Sequence, residues 1–308
     1  IKAGQDGWTD IGALLFMIAG IVLVVGFFAW ERRLVRQPGG QPLVDLTLFS
    51  SASFTWGVVL AAVAILAMIG VLFTMPQYFQ GVLGTNPIGS GLRLLPLIGG
   101  LIIGAVPADR MVHLVGAKIS AGVGFLVLAV GLAIGATTTV GSSVVFVATW
   151  MAIAGAGMGI TVATTSSAAL VELNAEKSGV GSAVLQAVNK LGGPFGTAIL
   201  GSVLSAGYLA HVSVSGLPES TAAAIRESVF GGVAVARQLH SGSLLAAVRS
   251  AFVDGMDRAL LVSAGVALIG TLLTLFFLPR TNAADPRSGA LKGDPDKSVL
   301  VSVSGGTP

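Results

Sequence analysis

The stretch FTWGVVLAAVAILAMIGVLFTMPQYF, residues 54–79, holds no charged side chain. A helix rising about 1.5 Å per residue needs roughly 20 apolar residues to cross the hydrocarbon core of a bilayer. This stretch exceeds that length, so it reads as a membrane-spanning helix long enough to tilt. Six further stretches meet or approach the same length, at residues 11–30, 91–106, 119–137, 144–171, 183–209 and 259–278. The third of the seven, 91–106, is short and flanked by Pro96 and Pro107. The expected fold class is all-α and integral to the membrane, a bundle of about seven transmembrane helices.

Composition agrees with lipid as the solvent. The 308 residues are 54% hydrophobic and 10% charged, where a soluble domain carries about 25% charged residues. Glycine, at 43 residues, suits close helix approach in a membrane. There is no cysteine, which excludes disulfides, thiolate metal sites and cysteine nucleophiles. The net charge is +3 and the basic residues are scattered, so nucleic acid is not an expected partner.

Lys and Arg in short loops set orientation. One set of loops holds Arg32, Arg33, Arg36, Arg110, Lys118, Lys177 and the tail Arg280, Arg287, Lys292 and Lys297; the other holds Lys2, with Arg93 at a helix mouth. The N-terminus is expected outside and the C-terminus in the cytoplasm of a multi-pass protein of the cell membrane. The opening apolar run is followed rather than preceded by its positive charges, which does not fit a signal peptide. With Ile1 as its first residue, the chain is expected to be a piece of a longer one.

The expected organisation is an outer loop and one helix over 1–30, a cytoplasmic linker over 31–53, and a helical bundle over 54–280. A long outer loop is expected over 208–257 and a disordered tail over 281–308. Within the loop, Pro218-Glu219-Ser220 has the chemistry of a helix start. Leu244, Leu245, Val248, Phe252 and Met256 recur at helical spacing, which predicts a short amphipathic helix on the outer membrane surface.

Catalytic patterns are missing. His113, His211 and His240 are far apart in sequence, and neither a paired-His helix nor an HExxH or Asp-rich motif is present. No enzymatic activity and no cofactor or metal is expected. Gly155, Gly157 and Gly159 have GxGxG rather than nucleotide-loop spacing and follow no strand. They read as a thin helix face for a close neighbour, as do the pairs Gly100/Gly104 and Gly192/Gly196.

Polar residues inside spans are costly and therefore informative. Gln186, Asn189 and Lys190 fall at i, i+3 and i+4, on one expected helix face. Lys190 can snorkel to the surface, while Gln186 and Asn189 are candidate cavity residues. Gln77 and Gln80 share a face just after Pro76, and Arg93 lies one turn before Pro96. All five, Gln77, Gln80, Arg93, Gln186 and Asn189, are candidate substrate contacts, with packing or interfacial anchoring as the plainer alternative. Asp109, Arg110, Gly116 and Lys118 fall in the expected loop between the third and fourth spans. An acid–base pair at such a point can latch neighbouring helices in one transport state.

Several motifs carry a family resemblance. Pro42-Leu-Val-Asp45-Leu-Thr-Leu48-Phe49, with Phe54 opening a span, is similar to the cytoplasmic linker of the fourteen-helix drug:proton antiporters, a branch of the major facilitator superfamily. Pro76-Gln-Tyr-Phe-Gln80, Gly84 and Gly91-Leu-Arg93-Leu-Leu-Pro96 resemble that branch's next outer loop. The Gly155/Gly157/Gly159 helix, Gly181-Ser182-Ala183 with Asn189, and Ala251-Phe252-Val253-Asp254-Gly255 continue the likeness in order, and Gly7-Trp8 begins it. Asp109, Arg110, Gly116 and Lys118 resemble a degenerate form of the family's Gly–Asp–Arg–Gly–Arg loop.

The resemblance implies one extra helix followed by the C-terminal six-helix bundle, and multidrug efflux by drug:proton antiport through alternating access. It implies membrane lipid, protons, a small amphipathic substrate and the N-terminal half of the same chain as partners. No Asp or Glu falls in the middle of the seven stretches, so proton coupling is expected to need that other half. Alternative cargoes are a lipid, a siderophore or a metabolite. A seven-helix receptor or photoprotein is the remaining alternative, and the last span has no Lys for a retinal Schiff base.

Overall fold

A computed structural model describes residues 46–170, 173, 175–214 and 217–279, with isolated helical positions between Leu15 and Arg33. Most of the first expected span, most of the linker and the 281–308 tail lie outside the described residues. All regular structure among the described residues is helical. After a short 3-10 turn, Leu46–Ser50, come α1 (Ala52–Gln77), a π turn (Tyr78–Val82), α2 (Pro87–Arg93) and α3 (Leu95–Gly135). Then follow α4 (Val144–Leu170), α5 (Ala175–His211), α6 (Glu219–Glu227), α7 (Val229–Gln238) and α8 (Gly242–Phe277).

Local chemistry sets the starts. Ser51 caps α1, its hydroxyl accepting from the Phe54 amide at 3.2 Å. Asn86 caps α2 from the Gly89 amide at 2.7 Å, with Pro87 in the first turn. Ser241 caps α8 from the Leu244 amide at 3.3 Å.

α3 is two arms joined at Gly116, whose φ of 82° and ψ of 159° are open to glycine and strained for other residues. Gly100 and Gly104 of the first arm meet the Ala152 and Ala156 carbonyls of α4, in parallel order. Gly124 and Gly131 of the second arm meet Thr161 and Ala154, in antiparallel order. The chain therefore reverses at Gly116. With α1, α4, α5 and α8, the two arms make six long rods among the described residues, running to and fro.

Small residues let these rods touch through their backbones. A Cβ on Gly155 or Gly159 would strike the Leu97 or Leu101 carbonyl, and one on Gly157 would strike the Leu128 backbone. Gly192 and Gly196 of α5 face Ile65 and Ile69 of α1. Leu60, Met75, Phe125, Leu128, Leu132, Trp150 and Met256 are fully buried between the rods. Buried hydroxyls turn back on their own helices: Thr74 donates to the Gly70 carbonyl at 2.6 Å and Thr274 to the Gly270 carbonyl at 2.7 Å. The outer face is apolar, with Val106 76% and Phe276 75% exposed. That inside–outside similarity is what a lipid solvent requires.

Four stretches are long and apolar enough to cross a membrane: Ala52–Val82, Pro87–Gly135, Val144–Leu170 and Gly242–Phe277. The second of these makes two passes because of Gly116. α5 carries Gln186, Asn189 and Lys190 and falls outside this set.

The helix ends depart from the sequence expectations in two places. The third expected span does not stop at Pro107, and the first arm of α3 runs helical through Val115. A single Pro deletes one ladder donor, and contact with α4 holds the helix across it. The segment 242–258 is not a separate surface helix but the first part of α8. Val248, Phe252 and Met256 are buried in the main core, so their apolar stripe is satisfied by protein rather than by membrane surface. The Pro218-Glu219-Ser220 signal does start a helix, α6, with Glu219 paired to Arg226 at 3.0 Å.

Candidate functional site

The candidate residues fall at two ends of the bundle. At one end α1 passes into the π turn, which places Tyr78 and Phe79 inside the core at 0% and 2% exposure. Such turns recur at functional positions because they re-aim side chains. The Tyr78 hydroxyl donates to the Thr139 carbonyl at 3.0 Å, tying α1 to the α3–α4 turn. Gln77 is occupied with its own helix, donating to the Phe73 carbonyl at 2.9 Å, and Gln80 is half-buried.

Arg93, at the end of α2, lies over the Phe79 ring with its guanidinium carbon 5.8 Å from the centroid. Beside it is a cavity of about 170 Å³ walled by Phe79, Leu83, Leu92, Pro96, Val147 and Ala148, and Arg93 is the charged residue of the lining. The Arg93 Nη1 is buried without a hydrogen-bond partner.

The same end holds residues that the sequence reading missed. Because α8 starts at Gly242, Asp254 and Asp257 lie three to four turns inside a long helix, in its charged first part just before the apolar run from Ala259. Asp257 Oδ1 is buried without a hydrogen-bond partner. The helical spacing of Leu244 through Met256 was the available signal, since it runs without a break into the last span.

The α6–α7 pair covers this end. Tyr208 of α5 donates to the Ile225 carbonyl of α6 at 2.7 Å. Val229 and Phe230 of α7 pack over Gly81 of the π turn.

At the opposite end, Gln186, Asn189 and Lys190 do not present one common face. Gln186 and Lys190 are exposed, while Asn189 is half-buried with an Oδ1 that has no hydrogen-bond partner. Packing of Gly192 and Gly196 on α1 rotates Asn189 inward and leaves its neighbours outside. Gly192 meets Ala62 and Ile65, and Gly201 meets Phe73, so α5 and α1 run parallel. Asn189 therefore lies about 22 Å along the bundle from Gln77 and about 27 Å from Gln80 by helix rise, and the structure does not join them in one site.

Asp109 and Arg110 are exposed on the last turns of the first α3 arm, not in a loop. Asp109 approaches His113 one turn on at 3.9 Å. Lys118 follows the reversal at Gly116, and no ion pair among the described residues links it to Asp109. The helix does not end at Pro107, and the rod carries these charges to its tip. No group of three or more His, Asp or Glu able to hold a metal occurs among the described residues.

The comparisons fit this helical architecture. Residues 8–197 match the sequence pattern of the Major Facilitator Superfamily. The chain belongs to that superfamily. This superfamily member is 32% identical over 298 residues to the tetracenomycin C resistance and export protein of Streptomyces glaucescens, covering 93% of this chain and 54% of that relative. It is 32% identical over 286 residues to the multidrug efflux pump LfrA of Mycolicibacterium smegmatis, covering 87% and 54%. It is also 25% identical over 294 residues to the multidrug resistance protein Stp of Mycobacterium tuberculosis, covering 91% and 53%. The chain thus spans about half the length of the curated relatives it matches. Superfamily membership and the apolar rods make it a multi-pass membrane protein.

Proposed function

We propose that this chain forms half of a fourteen-helix secondary transporter that exports small amphipathic drugs in exchange for protons. The single observation that carries the reading is similarity along 93% of the chain to a protein named for resistance to and export of tetracenomycin C. The tight glycine contacts support the mechanical part. A bundle whose rods touch backbone to backbone moves as one body, as alternating access by rocking of two bundles requires. Isolated amides among apolar walls suit cargo held by shape and apolar area rather than by strict hydrogen-bond readout.

In this reading Gln80 and Asn189 contact cargo in opposite halves of the passage. Gln77 and Gln186 support them, and the tip at Asp109, Arg110, Gly116 and Lys118 latches the bundle in one state. The N-terminus lies outside and the C-terminus in the cytoplasm. Asn189→Ala and Gln80→Ala in the full-length protein are expected to change export of a panel of lipophilic cations from an efflux-deficient host at unchanged expression. Unaltered export by both variants would sink the cavity role.

A further inference from the structure

We propose that the cavity beside Arg93 binds the phosphate headgroup of an anionic phospholipid, with Arg93 as its counter-charge. The cavity, at about 170 Å³, far exceeds the roughly 10–15 Å³ that one water needs on the same measure. Its wall is apolar apart from Arg93 and the Ser142 side. A guanidinium nitrogen that is buried and unpartnered is expensive unless a counter-charge sits near it. Asp257 does not discharge it, because Asp257 Oδ1 and Arg93 Nη1 are each without a hydrogen-bond partner. The Phe79 ring offsets part of the charge but leaves Nη1 without an acceptor.

The surroundings decide where the anion comes from. Leu92, Leu95 and Ile98 on one side are 61%, 53% and 51% exposed, and Val144 and Val145 on the other are 54% and 75% exposed. These exposed apolar side chains flank the cavity on both sides, which suits a ligand that brings its own apolar tail. The position also suits a headgroup, because Arg93 sits at a rod end, one turn before Pro96. The first turn of α4 forms the facing wall and adds the positive end of a helix dipole.

The test uses the full chain purified in a neutral detergent, with dioleoyl phosphatidylglycerol, dioleoyl phosphatidylcholine and inorganic phosphate as probes. Retention is read by native mass spectrometry. The expected result is a preference for phosphatidylglycerol over phosphatidylcholine on the order of tenfold, the factor one charge-assisted contact supplies. Arg93→Gln should abolish the preference and Arg93→Lys should retain it. Ala148→Phe fills the cavity without touching the charge, and it should release the lipid as well. It also decides the matter if Arg93→Gln fails to fold. Equal retention of the two lipids, undiminished retention by Arg93→Gln or Ala148→Phe, or equal binding of inorganic phosphate alone would each overturn the proposal.

Discussion

Gly207 of α5 and Gly255 of α8 meet backbone to backbone: a Cβ on Gly207 would lie 2.6 Å from the Gly255 Cα. The crossing brings α5 and α8 together below the α6–α7 cover. Next to it Arg258 lies 3.4 Å from the His211 ring, and that ring contacts the Gly207 carbonyl at 2.8 Å.

Gly255→Ala tests this crossing. The new methyl would meet the Leu204 carbonyl and the Tyr208 amide, backbone atoms that cannot step aside. A cost of about 1–3 kcal/mol is expected from overpacking, seen as a lower thermal midpoint of the detergent-solubilised protein. Gly265→Ala, on the same helix with open space around it, is the contrast. It should hold or raise the midpoint, because alanine is the better helix former by about 0.5–1 kcal/mol. Equal midpoints for the two variants would contradict the close approach.

Gly116→Ala addresses the reversal of α3. With φ at 82° and ψ at 159°, an alanine there carries about 1–3 kcal/mol of backbone strain. The expected readout is a lower thermal midpoint together with faster hydrogen exchange at 109–120. An unchanged midpoint would show that the turn adopts another conformation.

Tyr208→Phe removes the hydroxyl that holds the Ile225 carbonyl at 2.7 Å. The lost bond is worth about 0.5–1.5 kcal/mol, and the buried carbonyl left behind adds to the cost. Exchange should rise across 219–238 and stay unchanged across 144–170. A uniform rise over both segments would mean global destabilisation rather than release of the α6–α7 cover.

The residues that were legible in the sequence are those whose signal is local. The charge-free run at 54–79 appears as α1 with its π turn, and 144–171 appears as α4 almost to the residue. Pro218-Glu219 reads as a helix start because proline and an early acid have the same meaning in any context. Pro107 misled because its effect depends on what packs beside it, and Gly104 against Ala156 supplied that support. Asp254 and Asp257 were missed for the opposite reason. A hydropathy window excludes charged residues by construction, so it clipped α8 at the point where the charges enter the bundle.

The sequence alone determined the solvent, the number of long rods after residue 54 and the order in which they follow. These properties depend on the length and composition of each segment, which are additive along the chain. Only the tertiary structure decided which polar groups share an end. Gln186, Asn189 and Lys190 are neighbours by helical spacing, yet rotation of α5 onto Ile65 and Ile69 turned Asn189 inward and left the other two exposed. Tyr78 and Thr139 are 61 positions apart, yet the Tyr78 hydroxyl donates to the Thr139 carbonyl. Such meetings depend on the azimuth and depth at which rods dock. Glycine contacts spread over several helices set those jointly, and no single window of sequence contains them.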